Sequence, residues 1–310
     1  MTSIGFLLID GFALMSYSSV IEPLRAANLL SEKKLYKIIN FSLNQTAKSS
    51  SDTIIDTQLI GSEKDKLDMV IVCAGGDPFL FNNIKVFDWL RKKSREGVIL
   101  VGVSGGPVIL VKAGLMDGKR MTLHWEHADT FREIWPNVLL EKSLFVIDRK
   151  RITCAGGIAP LDLMFALISK HHGESFARKV SDWFMHTEVR PSGGPQRSGI
   201  VERYNVNNSK IVSAIEIMEN NLSNTLSLKE ISEIVDISPR QLNRLFKKNL
   251  NKTTMDVYRK LRLELAQKLL KQSQFSITEI AFSCGFSSSS QFSQSFKDKF
   301  GVMPSQYKIL

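Results

Sequence analysis

A chain of 310 residues has room for two domains of ordinary size, and 43% apolar with 23% charged residues excludes long disordered stretches. The absence of a membrane-length apolar run, basic leader or cleavage site predicts a cytoplasmic protein without a membrane anchor. Three widely spaced cysteines exclude a disulfide framework and a zinc ribbon. The formal charge of +10 suits a polyanionic partner.

The first part of the chain, from Met1 to about Glu188, alternates short apolar runs with segments of helical spacing. Strands are predicted at Ile4–Ile9, Met69–Cys73, Val98–Val103 and Leu144–Ile147. Helices are predicted at Val20–Leu30, Val86–Arg95, Pro107–Leu115 and Leu161–His172. This alternation predicts an α/β domain with a largely parallel sheet.

One strand-to-helix turn has the form of a nucleophile elbow, because Val98–Val103 runs into Ser104-Gly105-Gly106 and then a helix. Ser104 would then face the crevice where open α/β sheets bind ligands. The glycine turns that begin at Cys73 and Cys154 could line the same crevice, and Gly75 and Gly76 are the better candidates. Neither turn has dinucleotide-binding spacing, so no cofactor is expected. A tight turn that only needs small residues is the alternative.

An aromatic and a basic side chain adjoin in the segment TLHWEH, where Trp125 follows His124. Trp125 could form one wall of a site for a cationic ligand, with Glu22 supplying the opposite charge. The alternative is a tryptophan of the core. His124 and His127 share one helical face but lack a third ligand, so no metal is expected.

The segment RPSGGPQRSG, Arg190–Gly199, has no apolar period and marks a domain boundary. We expect a first domain over residues 1–190, a linker over 191–206 and a second domain over 207–310. An ordered arm that lies on a domain surface is the alternative to a free linker.

The second domain is predicted to be all-helical and contains a duplicated unit. Ser227-Leu-Lys-Glu230 and Ser276-Ile-Thr-Glu279 are both capping boxes, and the following residues match at an offset of 49 and then 50. Each copy has a short helix, a tight turn and a second helix, with helix Asp256–Gln272 between the copies, as in paired helix-turn-helix units. Residues 206–310 also carry 15 Lys and Arg against 9 Asp and Glu.

Both second helices present side chains suited to contacts with bases and phosphates of double-stranded DNA. A generic protein-binding bundle would also have polar, basic faces, but two matched copies favour DNA. The predicted DNA-binding residues are Arg240, Gln241, Asn243, Arg244, Lys247, Lys248, Ser288, Ser289, Ser290, Gln291, Ser293, Gln294 and Lys297.

The strings SPRQLNRLFKKNL, LRLELAQKLL and SITEIAFSCGFSSSSQFSQSFKDKFGVMPSQY resemble the AraC/XylS DNA-binding domain over residues 207–310. The first domain resembles the ThiJ/PfpI, class I glutamine amidotransferase-like fold, which implies a flavodoxin-like parallel sheet. By that resemblance Ser104 takes the place of the nucleophilic cysteine, His124 that of the histidine and Glu22 that of the glutamate. Because serine is far harder to ionise than cysteine, we expect a binding domain rather than an enzyme.

Together the two domains resemble the GlxA-type regulators, whose pattern includes VIEPLRAAN, CAGGDP, TLHWEHA and GPQR. The resemblance implies a homodimeric activator of catabolic genes that binds promoter DNA and contacts RNA polymerase. Its effector would be an amino acid or a quaternary-ammonium-like metabolite, bound by Glu22, Gly75, Gly76, Ser104, Gly105, His124 and Trp125. The alternative is an active amidase or hydrolase fused to a DNA-targeting domain, with Ser104 as nucleophile and His124 as its base.

Overall fold

A computed structural model describes residues 1–309, and the chain divides into two compact units. The first unit comprises Met1–Ala128 and Trp135–Gln196, and the second comprises Asp129–Ile134 and the chain from Arg197 onward. Within the described residues, no helix combines the length and apolarity that crossing a bilayer requires.

The first unit is an α/β structure with eleven strands among its described residues, of which seven form the main sheet. The strands are β1 Thr2–Leu8, β2 Tyr36–Ser42, β3 Thr46–Lys48, β4 Ile54–Asp56, β5 Gln58–Leu59, β6 Met69–Ala74, β7 Ile99–Ser104, β8 Arg120–Met121, β9 Leu139–Leu140, β10 Phe145–Asp148 and β11 Arg151–Cys154. The helices that begin in this unit are α1 Leu14–Leu30, α2 Ile84–Arg95, α3 Gly106–Lys112, α4 Trp125–Ile134, α5 Ala159–His172 and α6 Glu174–Trp183.

The main sheet has the strand order β10-β11-β7-β6-β1-β2-β5, and every neighbouring pair is parallel except β10 with β11. All six residues of β6 are buried, as expected for a parallel strand covered by helices on both faces. The chain passes from β1 to β2 on one side and then to β6 on the other. The topological switch therefore lies at β1, and ligands in such folds bind beyond the carboxyl ends of the strands.

The predicted fold class, a flavodoxin-like parallel sheet followed by an all-helical region, is confirmed, and its long elements differ mainly at their ends. Helix α1 begins at Leu14 rather than Val20. The prediction missed its first turns because the buried residues Ser16 and Ser19 are polar and give no apolar signal. Helix α3 ends at Lys112 rather than Leu115, since Gly114 has a left-handed backbone with φ +69°. Strand β2 was not predicted, and four of its seven residues are only half-buried, which gives a weak apolar signal.

The described residues of the second unit contain no strand, and its helices from Arg197 onward are short except for one. They are α7 Ile200–Tyr204, α8 Ser209–Asn220, α9 Leu228–Ile234, α10 Pro239–Leu250, α11 Thr254–Gln272, α12 Ile277–Ser283, α13 Ser289–Phe300 and α14 Pro304–Ile309. Helices α9 and α10 form the first helix-turn-helix, and α12 and α13 form the second.

Two apolar cores lie along the second unit, and α11 contributes to both. Its N-terminal half places Val257 and Tyr258 in the core of the first helix-turn-helix. Its C-terminal half places Leu265, Ala266 and Leu269 in the core of the second. One continuous helix therefore sets the spacing between the two copies.

The internal repeat is visible in backbone geometry as well as in sequence. Both predicted capping boxes form, since Ser227 and Glu230 bond reciprocally at the start of α9, and Ser276 and Glu279 do so at α12. The matched turn positions Asp236 and Gly285 are both left-handed, with φ values of 55° and 70°. The two turns share one conformation, but a β-carbon at residue 285 would lie 2.3 Å from Thr225 Cγ2.

This crowding makes Gly285→Ala a sharp test of the second turn. The variant should lose about 1–2 kcal/mol of unfolding free energy for a left-handed alanine, and at least about 1 kcal/mol more because the methyl would also meet the carbonyls of Leu222 and Ser223 at 2.9 and 3.0 Å. Gly301→Ala is the matched control, because φ is +79° there and a β-carbon would have no neighbour within 4 Å. Urea unfolding of the full chain, followed by circular dichroism, should separate the two variants, whereas equal losses would contradict the crowding.

Candidate nucleic-acid interface and ligand crevice

Helix α10 has one buried face and one exposed cationic face. It begins with a capping box between Ser238 and Gln241, and proline at its first position suits a helix start. Leu242 and Phe246 point into the core with no exposed surface, which turns the other face to solvent. The exposed residues of the predicted set are Arg240, Gln241, Arg244, Lys247 and Lys248.

The four cations of α10 differ from the two amides of the predicted set. Among residues 1–309, no acidic side chain forms an ion pair with Arg240, Arg244, Lys247 or Lys248. Asn243, by contrast, is half-buried, and its Oδ1 accepts from the Thr254 backbone N–H at 3.0 Å, which holds the start of α11. The Gln241 Oε1 accepts from Ser238 N at 3.0 Å as part of the cap. The cations therefore form the part of this face that is free for a polyanion.

Helix α13 presents a nearly uncharged face. Ser288 caps it by accepting from Gln291 N at 3.2 Å, and Phe292 and Phe296 are fully buried. Lys297 is the one cation that was predicted for this surface. Ser288, Ser290, Gln291, Gln294 and Lys297 are exposed, and Ser289 and Ser293 are half-buried. Short hydroxyl side chains allow a close approach to a phosphate backbone.

Arg262 of α11 holds the second turn, and sequence reasoning did not identify it. Its Nε donates to the Cys284 carbonyl and its Nη2 to the Gly285 carbonyl, both at 2.7 Å. Its guanidinium lies 4.2 Å from the ring centre of Phe286. Burial lowers the pKa of Arg262, and the side chain still donates as a charged fork to two carbonyl oxygens. The turn before α13 is thus tied to the connecting helix.

Ser104 in the first unit ends β7 with a left-handed backbone, φ 59°, a conformation that non-glycine residues rarely adopt. Gly106 follows because a β-carbon there would lie 2.1 Å from the Val72 carbonyl oxygen. Strands β6 and β7 pair with Ala74 opposite Ser104, and Gly105 N donates to the Ala74 carbonyl at 3.1 Å. Gly75 and Gly76 therefore begin the turn beside Ser104. Both the elbow geometry and the demand for small residues are present.

The Ser104 hydroxyl accepts or donates no hydrogen bond among residues 1–309. Gly156 packs against it, because a β-carbon at 156 would lie 2.9 Å from the Cα and Cβ of Ser104. Ser16 of α1 joins this cluster, and its Oγ accepts from Gly157 N at 2.8 Å. The sequence analysis favoured Gly75 and Gly76 over the glycine turn at Gly156 and Gly157. The contact of Ser16 with that turn arises only in the fold.

Each of the three remaining predicted crevice residues has a neighbouring partner. The Glu22 carboxylate accepts from Arg25 Nε at 2.8 Å, so its charge is shared within α1, and its side chain is 41% exposed. The rings of His124 and Trp125 are tilted by 34° with centres 5.4 Å apart, and both side chains are half-buried. A separate cavity of about 600 Å³ beside the end of β1 is lined by Asp10, Gly11, Asn44, Thr46, Lys48, Ser49, Asp52 and Ile54.

The cysteines of the described chain do not supply the missing nucleophile. Cys73 lies one residue before the end of β6 and Cys154 ends β11. Both have essentially no exposed surface, and burial raises the pKa of both thiols, that of Cys154 to about 12. Burial also raises the pKa of Cys284. A thiol with such a pKa stays protonated at neutral pH and does not attack a carbonyl carbon.

Within residues 1–309, no group of three His, Cys, Asp or Glu side chains is placed to hold a metal ion.

Comparison with known proteins agrees with both units. The DJ-1/PfpI family profile matches residues 2–170, and a helix-turn-helix domain profile matches residues 231–308. The transcriptional regulator GlxA of Rhizobium meliloti is 41% identical over 97% of this chain and 94% of its own length. The regulator CdhR of Pseudomonas aeruginosa is 39% identical over 97% of this chain and 90% of its own. Both are HTH-type transcriptional regulators by name.

A solved structure shares the fold of part of this chain. The crystal structure of an AraC family transcriptional regulator from Pseudomonas putida aligns with a TM-score of 0.54 at 23% identity. The alignment covers 59% of this chain and all of that one.

The fork of Arg262 predicts a selective effect of Arg262→Lys. The ammonium keeps the charge but cannot reach both carbonyls in one plane, so the second unit should lose roughly 1.5–3 kcal/mol of unfolding free energy. Arg259→Lys on the same helix is the control, since Arg259 is 55% exposed and lies 3.7 Å from Asp256, and it should cost less than about 0.5 kcal/mol. Equal unfolding midpoints for the two variants in urea would show that the fork does not hold the turn.

Proposed function

This chain belongs to the GlxA-type AraC family of DNA-binding transcription regulators, and we propose that it activates catabolic genes in response to a small nitrogen-containing metabolite. The observation that carries this proposal is the joint presence of two helix-turn-helix units on one connecting helix and an elbow serine whose hydroxyl has no partner among residues 1–309. The first feature suits promoter recognition, and the second suits a ligand that brings its own hydrogen-bonding groups.

Helices α10 and α13 would make different kinds of contact with DNA. Arg240 and Arg244 stand one turn apart on α10, and guanidinium groups pair with guanine edges in the major groove. Lys247 and Lys248 near the end of α10 would contact phosphates, as would the serine-rich face of α13. Base preference would then come mainly from α10.

The effector would bind at the carboxyl ends of β6 and β7. Backbone N–H groups of Gly75 and Gly76 and the hydroxyl of Ser104 suit a carboxylate, whereas the Gly105 N–H is already bonded to the Ala74 carbonyl. The aromatic pair His124 and Trp125 suits a cationic nitrogen, with Glu22 as the opposite charge. An amino acid or a quaternary ammonium compound with a carboxylate carries both groups.

Regulation requires that the effector distinguish two states of the protein, because a ligand of equal affinity for both shifts neither. We expect a homodimer that binds paired half-sites and contacts RNA polymerase when the effector is bound. Dimerisation would double the number of base contacts without requiring new ones in each chain.

Arg244→Ala tests the role of α10. If Arg244 reads a base, the variant should lose about 1–3 kcal/mol of binding free energy on the DNA upstream of its own gene and should accept other bases at one position. Lys248→Ala, a change in charge on the same helix, should weaken binding to all sequences alike and lessen its salt dependence. Band-shift titrations on a set of single-base variants would measure both.

The DNA proposal fails if the wild-type protein binds its upstream DNA no better than a shuffled duplex. Uniform weakening by Arg244→Ala would make that residue a phosphate contact and would move base recognition elsewhere on the helix.

Ser104→Ala tests the crevice. Because the hydroxyl bonds nothing in residues 1–309, the unfolding midpoint should stay unchanged, while affinity for the effector should fall about 2- to 10-fold for one lost hydrogen bond. Calorimetric titration with glycine betaine and L-arginine as probes gives the affinity, and Ser198→Ala at an exposed position is the control.

Turnover distinguishes the hydrolase alternative. We expect neither the wild type nor the variant to release nitrophenol from p-nitrophenyl acetate or ammonia from glutamine above the solvent rate. Turnover that disappears in Ser104→Ala would replace the sensor with an enzyme.

A further inference from the structure

Residues 186–196, called the strap here, end the first unit and are held at their start by one buried carboxylate. Asp162 of α5 has no exposed surface. Its Oδ1 contacts His186 Nε2 at 3.0 Å and accepts from the Arg190 backbone N–H at 2.8 Å. Its Oδ2 accepts from Nε and Nη2 of Arg190 at 3.0 and 2.6 Å. The strap is thus an ordered arm at this point, which was the alternative to a free linker.

The middle of the strap lies along Leu144, close to the Ser104 turn. Leu144 N donates to the Ser192 carbonyl at 2.7 Å, and the Leu144 carbonyl accepts from Ala155 N at 2.8 Å. The residue after Ala155 is Gly156, which packs directly on Ser104. Two hydrogen bonds and one peptide unit therefore link the strap to the elbow serine.

The end of the strap is bound beside His124. The Gln196 Nε2 lies 2.6 Å from the Ser143 carbonyl, 3.1 Å from the Leu123 carbonyl and 3.1 Å from Thr122 Oγ1. Leu123 immediately precedes His124. The strap thus contacts the segment of His124 directly and is linked to Ser104 through Leu144 and Ala155, and both His124 and Ser104 are among the proposed effector ligands.

The bonding of Gln196 is not fully satisfied. Its amide nitrogen has two hydrogens for three acceptors, and its Oε1 is buried without a hydrogen-bond partner among residues 1–309. A buried carbonyl without a donor is unfavourable, so the clamp is only weakly preferred over an arrangement that frees the amide. Turning the amide over would aim its oxygen at two carbonyls and does not relieve the cost.

We propose that Gln196 is a positioning residue that couples effector occupancy at His124 and Ser104 to the chain that enters the DNA-binding unit. Gln196 is the last residue of the first unit, and Arg197 is the first residue after it. A ligand that moves the Leu123 carbonyl strengthens or breaks the amide clamp and so changes how the strap is held. This inference rests on the proposed effector function for its direction but not for its test.

The test uses the reciprocity of coupling, because DNA bound by one unit must then alter the other unit. Full-length protein is followed by hydrogen–deuterium exchange at residues 120–127 with and without its upstream duplex. In the wild type we expect DNA to change exchange there, and in Gln196→Leu we expect basal exchange about tenfold faster with no response to DNA. Ser198→Ala is the matched control and should behave as wild type.

If Gln196 had only a structural role, its loss would not change the response to a ligand while leaving DNA binding and ligand binding intact. In Gln196→Leu, the Kd for DNA without ligand and the Kd for glycine betaine or L-arginine should each stay within about threefold of wild type. The effect of either probe on DNA affinity should be lost.

The coupling is overturned if DNA leaves exchange at residues 120–127 unchanged in the wild type, or if Gln196→Leu responds as the wild type does. If neither probe binds the wild type while DNA still changes exchange there, the effector proposal fails for those ligands and the coupling stands.

Discussion

The fork that Arg262 makes to the Cys284 and Gly285 carbonyls ties the turn before α13 to the helix that connects the two helix-turn-helix units. Helix α13 follows directly from this turn, so the fork also orients the N-terminus of α13 relative to α11. The same helix α11 places Tyr258 in the core of the first copy, where its hydroxyl contacts the Asn221 carbonyl. With 19 residues, α11 is about 28 Å long, comparable to one turn of B-DNA. Helix α11 thus sets both the spacing of the two helix-turn-helix units and the orientation of α13.

The second unit could be predicted from sequence in detail because its determinants are local. Ser227 and Glu230, like Ser276 and Glu279, are three residues apart, and both boxes form as predicted. The turn positions also follow from residue type, since glycine and aspartate tolerate a left-handed backbone. The first unit's sheet was predictable for a similar reason, because β6 and β7 are uninterrupted apolar runs bounded by glycine turns.

Contacts between distant residues could not be predicted in this way. Ser16 and Gly157 are 141 positions apart, and Gln196 and Thr122 are 74 apart, so no local pattern relates them. Glu22 illustrates a different limit. Its place in the motif VIEPL was recognised, but its pairing with Arg25 depends on a choice of side-chain conformation. Asn243 was assigned to the DNA-facing set by spacing, and the structure shows that it also holds the start of α11.

The unequal faces of α10 and α13 have a consequence for geometry on the genome. Helix α10 carries four exposed cations, whereas the exposed face of α13 consists of serine and glutamine with Lys297, so the two helices are chemically different. If both helices contact DNA, a chain in which they differ would bind an asymmetric site in one orientation only. The bound protein would then have a defined direction on the duplex, and the promoter would use that direction to set the direction of transcription.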